Sequence, residues 1–444
     1  MMKSMQDSAA QLRTQEPVIS GISRRAMHAA IVGSCFKVLT SLSFTNGLML
    51  VFLSAMNLEG TTVLKLLSMV NVLQAFSLIP CAHFADRYGK RLVTFVGITL
   101  CGLGFALIPL IGFFPAHLTI VVLGTGIGLY GIGLGGQVAA WFALLSPIVP
   151  PFYRGRFFGA LRVAWQLCAV ALGLIIAFAL PKETSLPLLK TVMIIVGLSV
   201  IPWGVYYSRI PELEQEKCAT RELPIALKTI ARTPGYLPFC AYLFIINLFV
   251  GGCPLIFGLI EKRVLALGDG SVVLLANITM LGSVLGYYIG GKAVDRFGTK
   301  PVFLICHFGY GLALALFVIR DLMPFPVFPI LLGVHCLFGL LFAAGSIAFS
   351  TEMLALIPAI RKSLTTSLCS TMIQGGSALS GLLGAWGIGM GLFSSSWLLS
   401  GSPRSAYDSV LIIYAAMIVL MTVTLGLIPS VVGRPELRDG TPVA

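Results

Sequence analysis

The chain has 444 residues, 57% of them hydrophobic and 11% charged, with a formal net charge of +13. Soluble domains carry about 25% charged residues, and apolar runs of about 18 residues or more recur along this chain, which excludes a soluble globular fold. Its basic residues are scattered in short segments between apolar runs and form no patch or stripe, which argues against a nucleic-acid partner.

In chain order, the first segment, MMKSMQDSAAQLRTQEPVIS, is polar and lacks the apolar core of a cleavable signal peptide. Residues 1–26 read as a solvated tail. Twelve membrane spans are then predicted, at 27–56, 61–84, 92–114, 117–148, 157–180, 187–208, 234–260, 272–293, 301–319, 326–355, 363–390 and 408–430. Several exceed the roughly 20 residues a bilayer needs, so tilt is expected. The only long polar interior segment, 209–233, splits them six and six. The expected domains are therefore a bundle over 27–208, a linker over 209–233, a second bundle over 234–430 and a tail over 431–444. The ten cysteines include no CxxC pair and lie mostly in apolar runs, so they read as small buried hydrophobes. No metal or cofactor is expected.

An even number of spans puts both termini on one face, called side A. It collects twenty-one of the thirty Lys and Arg. Side B has six (Lys182, Lys190, Lys262, Arg263, Arg320 and Arg404), and Lys37, Lys65 and Arg162 fall inside spans. Basic loops stay cytoplasmic. Side A therefore reads as the cytoplasm, the membrane as the inner membrane, and the bilayer as a permanent partner.

The turn after span two repeats itself. ADRYGKRLVTF (85–95) aligns with VDRFGTKPVFL (294–304), 209 residues later and after span eight. PPFYRGR (150–156) and PAIRKS (358–363) follow spans four and ten, and IPEL (210–213) and RPEL (434–437) leave spans six and twelve. Three correspondences in one order indicate a duplicated six-helix unit, so the fold expected is all-α and integral to the membrane, with two pseudo-symmetric six-helix bundles. Such repeats mark secondary transporters, with the solute site near the midplane between the repeats.

The Asp-Arg-aromatic-Gly-basic-basic run at Asp86, Arg87, Gly89, Lys90 and Arg91 resembles motif A of the major facilitator superfamily, and Gly291, Asp295, Arg296, Gly298 and Lys300 resemble a second copy. Two positions depart from the motif: Ala82 stands where the first copy has Gly, and Thr299 replaces a base in the second. Ala82 still permits close helix contact, while Thr299 suggests a weaker C-terminal latch. The resemblance implies alternating access, with Asp86 facing the start of span eleven near Arg361 and Asp295 facing the start of span five near Arg154 and Arg156. A carboxylate at a helix N-terminus is favourable, so Asp86 is expected to act as a latch that breaks when side A opens. Glu352, near the end of span ten, belongs to the same gate.

Polar side chains inside spans are costly unless partnered and are functional candidates. Lys37 lies on span one, roughly 15 Å from its side-A end at 1.5 Å per residue. Near the midplane are Asn46, Asn71, Gln74, Asn247 and Gln374; Gln137 and Trp141 share a helix face one turn apart. Arg162, Trp165 and Gln166 cluster on span five, and His335 lies on span ten. Amides with Trp suit a small neutral polar solute, sugar-like in the first instance. EMLALIPAIRK (352–362) and RIPELEQ (209–215) distantly resemble sugar-porter patterns, whereas span five lacks the Gly-Pro-x-x-Gly-Gly run of drug antiporters. Multidrug or metabolite efflux is the alternative within the class. A non-transporting sensor is the alternative outside it. No nucleophile motif or clustered metal set points to an enzyme. No midplane carboxylate is expected, so coupling to a proton or Na+ stays open, and a monomer is expected.

Overall fold

The computed structural model describes residues 21–426, apart from 46, 146, 150–153, 182–183, 214–227, 229, 231, 357–361 and 395. In lipid no water satisfies a peptide group, so a spanning segment must close its own hydrogen bonds, and these apolar runs do so as helices. Span one is Gly21–Thr45 continued by Leu48–Ala55, span two Gly60–Tyr88, span three Lys90–Leu107 and span four Thr119–Leu145. Span five is Arg154–Ala179, and span six is Leu186–Gly197 with Val200–Ser208. Span seven joins Tyr236–Val250, Cys253–Leu259 and a π-helical turn, Ile260–Val264. Span eight is Asp269–Phe297, span nine Thr299–Val318, span ten Val327–Leu356, span eleven Lys362–Gly389 and span twelve Ala406–Met421.

Eleven of these helices are long and apolar enough to cross a membrane. Span eleven, with 28 residues, is the exception, being rich in Ser, Thr and Gly. It packs between spans two and seven, so its polar face meets protein.

The helix contacts repeat with a step of six spans. Spans one and five pack together as do seven and eleven, two and four as do eight and ten, three and four as do nine and ten, three and six as do nine and twelve. Across the seam, span two meets span eleven and span eight meets span five. The turns repeat as well: Gly89 has φ +112° and Gly298 φ +83°, a conformation that glycine adopts without a Cβ penalty. On span eight, a Cβ at Gly282 or Gly286 would collide with backbone oxygens of span ten. These glycines let the two backbones touch.

Two sequence expectations are corrected. Span seven does not stop at 260: its π turn carries Glu261, Lys262 and Arg263, so these are helix residues and not loop residues. The segment between spans eleven and twelve holds a hairpin, β1 (Ser396–Leu399) with β2 (Ser402–Ser405). Ser400 and Gly401 form its two-residue turn with φ of +49° and +84°, the handedness that matches strand twist. The run is too short to show a strand period.

The hairpin brings charges together on side B. Arg404 pairs in a fork with Asp321, and that bond holds the Asp321 carboxyl below its usual range. Arg320 donates to Asp408 at 2.6 Å, with both side chains at most 2% exposed. Lys262 pairs with Asp269, and Arg263 donates to the Leu58 carbonyl. Four of the six side-B bases are thus bonded within the fold, which deepens the charge asymmetry between the faces. Breaking the Arg320–Asp408 pair should be costly. Arg320→Ala is expected to destabilise the protein by about 3–5 kcal/mol, read as a lower melting temperature in detergent. The double replacement Arg320→Met with Asp408→Leu should recover only part of that loss, because Asp408 Oδ2 also accepts from the Ser405 N–H and hydroxyl to cap span twelve.

Candidate functional site

Span one carries Lys37 into the N-terminal half, where its ammonium donates to Gln137 Oε1 at 2.6 Å. Gln137 is fully buried, and its other end, Nε2, donates to the Tyr207 hydroxyl at 3.1 Å. Trp141, one turn beyond Gln137, stacks on the Tyr207 ring at 5.1 Å. Spans one, four and six therefore converge on one polar cluster. Below it, Thr40 and Ser41 return their hydroxyls to the Lys37 carbonyl, and Ser41 also meets the Tyr130 hydroxyl at 3.1 Å. Tyr207 was missed in the sequence, because a Tyr near a helix end looks like an interfacial anchor.

The seam between the halves is joined by amides. Gln374 Nε2 donates to Gln74 Oε1 at 2.9 Å, linking spans eleven and two. Gln166 donates to the Met280 carbonyl at 3.0 Å, and Asn277 to the Val170 carbonyl at 3.2 Å, linking spans five and eight. Asn277 is a further residue that sequence reasoning missed; its signal was a lone amide in an apolar run. Arg162 places its guanidinium 5.5 Å from the Tyr287 ring centre, a cation–π contact between spans five and eight. Nearer side B, Asp269 accepts from the Thr184 backbone N–H. These named polar contacts run from the Arg162 level toward side B.

The side-A turn is organised by a residue outside the motif. Glu212, just past span six, accepts from the backbone N–H of Lys90 at 2.8 Å and of Arg91 at 3.2 Å. It fills the N-terminus of span three, where unpaired N–H groups favour a carboxylate. Arg91 in turn donates to the Ser208 carbonyl. In the second copy, Thr299 donates to Glu352 at 2.6 Å, tying span nine to span ten. Arg87 and Arg296 each lie over the aromatic that follows, Tyr88 and Phe297. Asp86 is half-buried and Asp295 exposed; among the described residues neither has a hydrogen bond or ion pair. Arg361 lies outside the described residues. Arg154 and Arg156 sit on the first turn of span five.

Other candidates are dispersed. His335 sits in the C-terminal core, with Nε2 2.6 Å from Glu261 Oε1 and Nδ1 2.7 Å from Thr279 Oγ1. The rings of Phe257 and Phe317 flank it. Glu261, only 1% exposed, is thus a membrane-buried carboxylate toward the side-B end of span seven, invisible when that span is ended one residue too early. Asn247 spends its amide on the Leu243 carbonyl of its own helix. Trp165 packs against Val38, Leu42 and Ala169. Asn71 is half-buried, and Asn46 lies outside the described residues.

Residues 31–272 match the family model described as Major Facilitator Superfamily. The chain belongs to the major facilitator superfamily. A curated relative in Cupriavidus pinatubonensis, a probable 4-methylmuconolactone transporter, is 26% identical over 235 residues, which is 50% of this chain and 51% of that protein. The chain thus matches about half the length of that relative. Among solved structures, the xylose transporter XylE from E. coli, partially occluded and inward-open, superposes with a TM-score of 0.66 at 15% identity, covering 91% of this chain and 97% of that one. The nucleoside transporter NupG gives 0.63 at 13%, covering 91% and 98%. A POT family transporter with a bound peptide conjugate gives 0.70 at 13%, covering 90% and 95%. These likenesses establish the fold of this superfamily member as a multi-pass membrane protein.

The Glu261–His335 contact is a support of the C-terminal half, since each partner satisfies the other away from water. Glu261→Ala is expected to cost about 1–3 kcal/mol by orphaning a buried ring nitrogen, measured by thermal unfolding in detergent. Glu261→Gln should retain the larger part.

Proposed function

We propose that the chain is a secondary active or facilitated transporter and not an enzyme. It carries a small polar organic solute across the inner membrane by alternating access, as a monomer with both termini in the cytoplasm. The observation that carries this reading is the meeting of polar side chains from separate spans inside the helical bundle. Lys37, Gln137, Tyr207 and Trp141 form one cluster, and the Gln74–Gln374 bond joins the two halves. Membrane spans pay for such groups only where they pair or face a pathway. Amide edges and an aromatic face suit a hydroxylated, sugar-like solute, and the 4-methylmuconolactone transporter named above supports the broader class of small polar organic solutes. A proton or Na+ is the coupling ion of such a cycle if the transport is active.

Alternating access needs contacts that form on one side as they break on the other. The seam amide contacts named here lie at mid-depth (Gln74–Gln374 and Gln166–Met280) and toward side B (Asn277–Val170). We propose that Asp86 makes one such contact with the start of span eleven when side A closes.

Two experiments test the reading. Purified protein in proteoliposomes should move at least one solute from a broad panel that includes sugars, nucleosides and 4-methylmuconolactone. No flux for any of them, with ligand binding intact, would favour a sensor. For the latch, Asp86→Asn should raise cysteine labelling on side A and lower it on side B, in a background lacking the native cysteines. Unchanged labelling on both faces would remove the latch.

A further inference from the structure

The N-terminal half holds a cation that no acidic side chain answers among the described residues. Lys37 is half-buried, and its ammonium donates to a neutral amide oxygen, Gln137 Oε1. An ammonium has three donors, and this contact uses one. The sequence contains no Asp or Glu from Pro17 to Leu58, nor from Arg87 to Lys182. Spans one, three, four and five therefore supply no carboxylate. Of the acidic groups inside other spans, Glu261 is engaged by His335, Asp269 by Lys262, Asp408 by Arg320 and Glu352 by Thr299, while Asp86 and Asp295 stand in the last turns of spans two and eight at side A, with no ion pair to Lys37. Arg162, the other cation of this half at the seam, meets an aromatic face and no carboxylate.

A buried charge without a counter-charge is unfavourable. Long side chains escape this by reaching for the surface, yet the Lys37 head is turned to span four, into the cluster with Tyr207 and Trp141. Gln137 holds it there, because its other end is fixed by Tyr207. An amide can orient an ammonium but cannot neutralise it.

We infer that the solute this site takes is an organic anion, and that its carboxylate is the missing counter-ion of Lys37. The inference rests on the transport reading above and narrows its small polar organic solute to a carboxylate-bearing one. A carboxylate accepts charge-assisted N–H···O⁻ bonds on the ammonium donors that Gln137 leaves free. Trp141 offers an aromatic surface beside the same cluster for the body of the solute.

The test uses the full chain and matched pairs that differ in charge: gluconate and glucose, galacturonate and galactose, benzoate and benzamide. Thermal shift in detergent and flux in proteoliposomes are read for each. At least one acid should stabilise the protein and bind at least about tenfold more tightly than its neutral partner. Lys37→Gln should weaken that acid by roughly ten- to a hundredfold, and Lys37→Arg should keep most of the affinity. Neutral members binding as well as their acids, no acid binding at all, or an acid indifferent to Lys37→Gln would each overturn the inference. The matched pairs are read on the unaltered protein, so they decide the matter even where Lys37→Gln fails to fold. Flux of a neutral member alone would sink the anion and leave the transporter; Lys37-dependent acid binding without flux would do the reverse.

Discussion

A bilayer gives a peptide group no water to bond, and it gives a charge no solvent to spread into. Each span here answers the first demand by closing its own backbone bonds as a helix. The second demand sorts the side chains. Charges stand at the faces, pair with each other, or persist inside where a partner is due. Arg320 with Asp408 and Lys262 with Asp269 are the paired case. Arg87 and Arg296, over the rings beside them at side A, are the surface case. Lys37 is the third.

The same constraint makes the two faces unlike each other. On side B four of the six bases are bonded to acids or carbonyls, and the hairpin Ser396–Ser405 delivers one of them, Arg404, to Asp321. On side A the motif arginines Arg87, Arg91 and Arg296 are exposed, while the nearby carboxylate of Glu212 is spent on the backbone of span three. Side B is thus cross-linked within the fold, while Arg87 and Arg296 on side A stay open to solvent.

Neutral amides, not ion pairs, bridge the seam at mid-depth. Gln74 with Gln374 and Gln166 with Met280 are single hydrogen bonds between rigid halves. A net contribution of about 0.5–1.5 kcal/mol each can be given up in a rocking motion that a buried ion pair would resist. Within each half, by contrast, glycines such as Gly97 and Gly104 in the first and Gly282 and Gly286 in the second bring backbones into contact, so each half is closely packed. The division between firm halves and a soft seam is what alternating access requires.

The sequence by itself determined the membrane fold, the span count and the duplication. Long apolar runs, a one-sided charge bias and the echo of Asp86–Arg91 at Asp295–Lys300 are local patterns that survive without coordinates. It also marked Lys37, Gln137 and Trp141 as out of place in lipid. Only the tertiary structure decided which of these meet. Gln137 reaches Lys37 across 100 positions of chain and Tyr207 across 70, distances over which no periodicity carries information. For the same reason His335 turned out to belong with Glu261, and Glu212 with the turn at Gly89. Composition can say that a buried charge needs a partner; only packing says whether the protein supplies it.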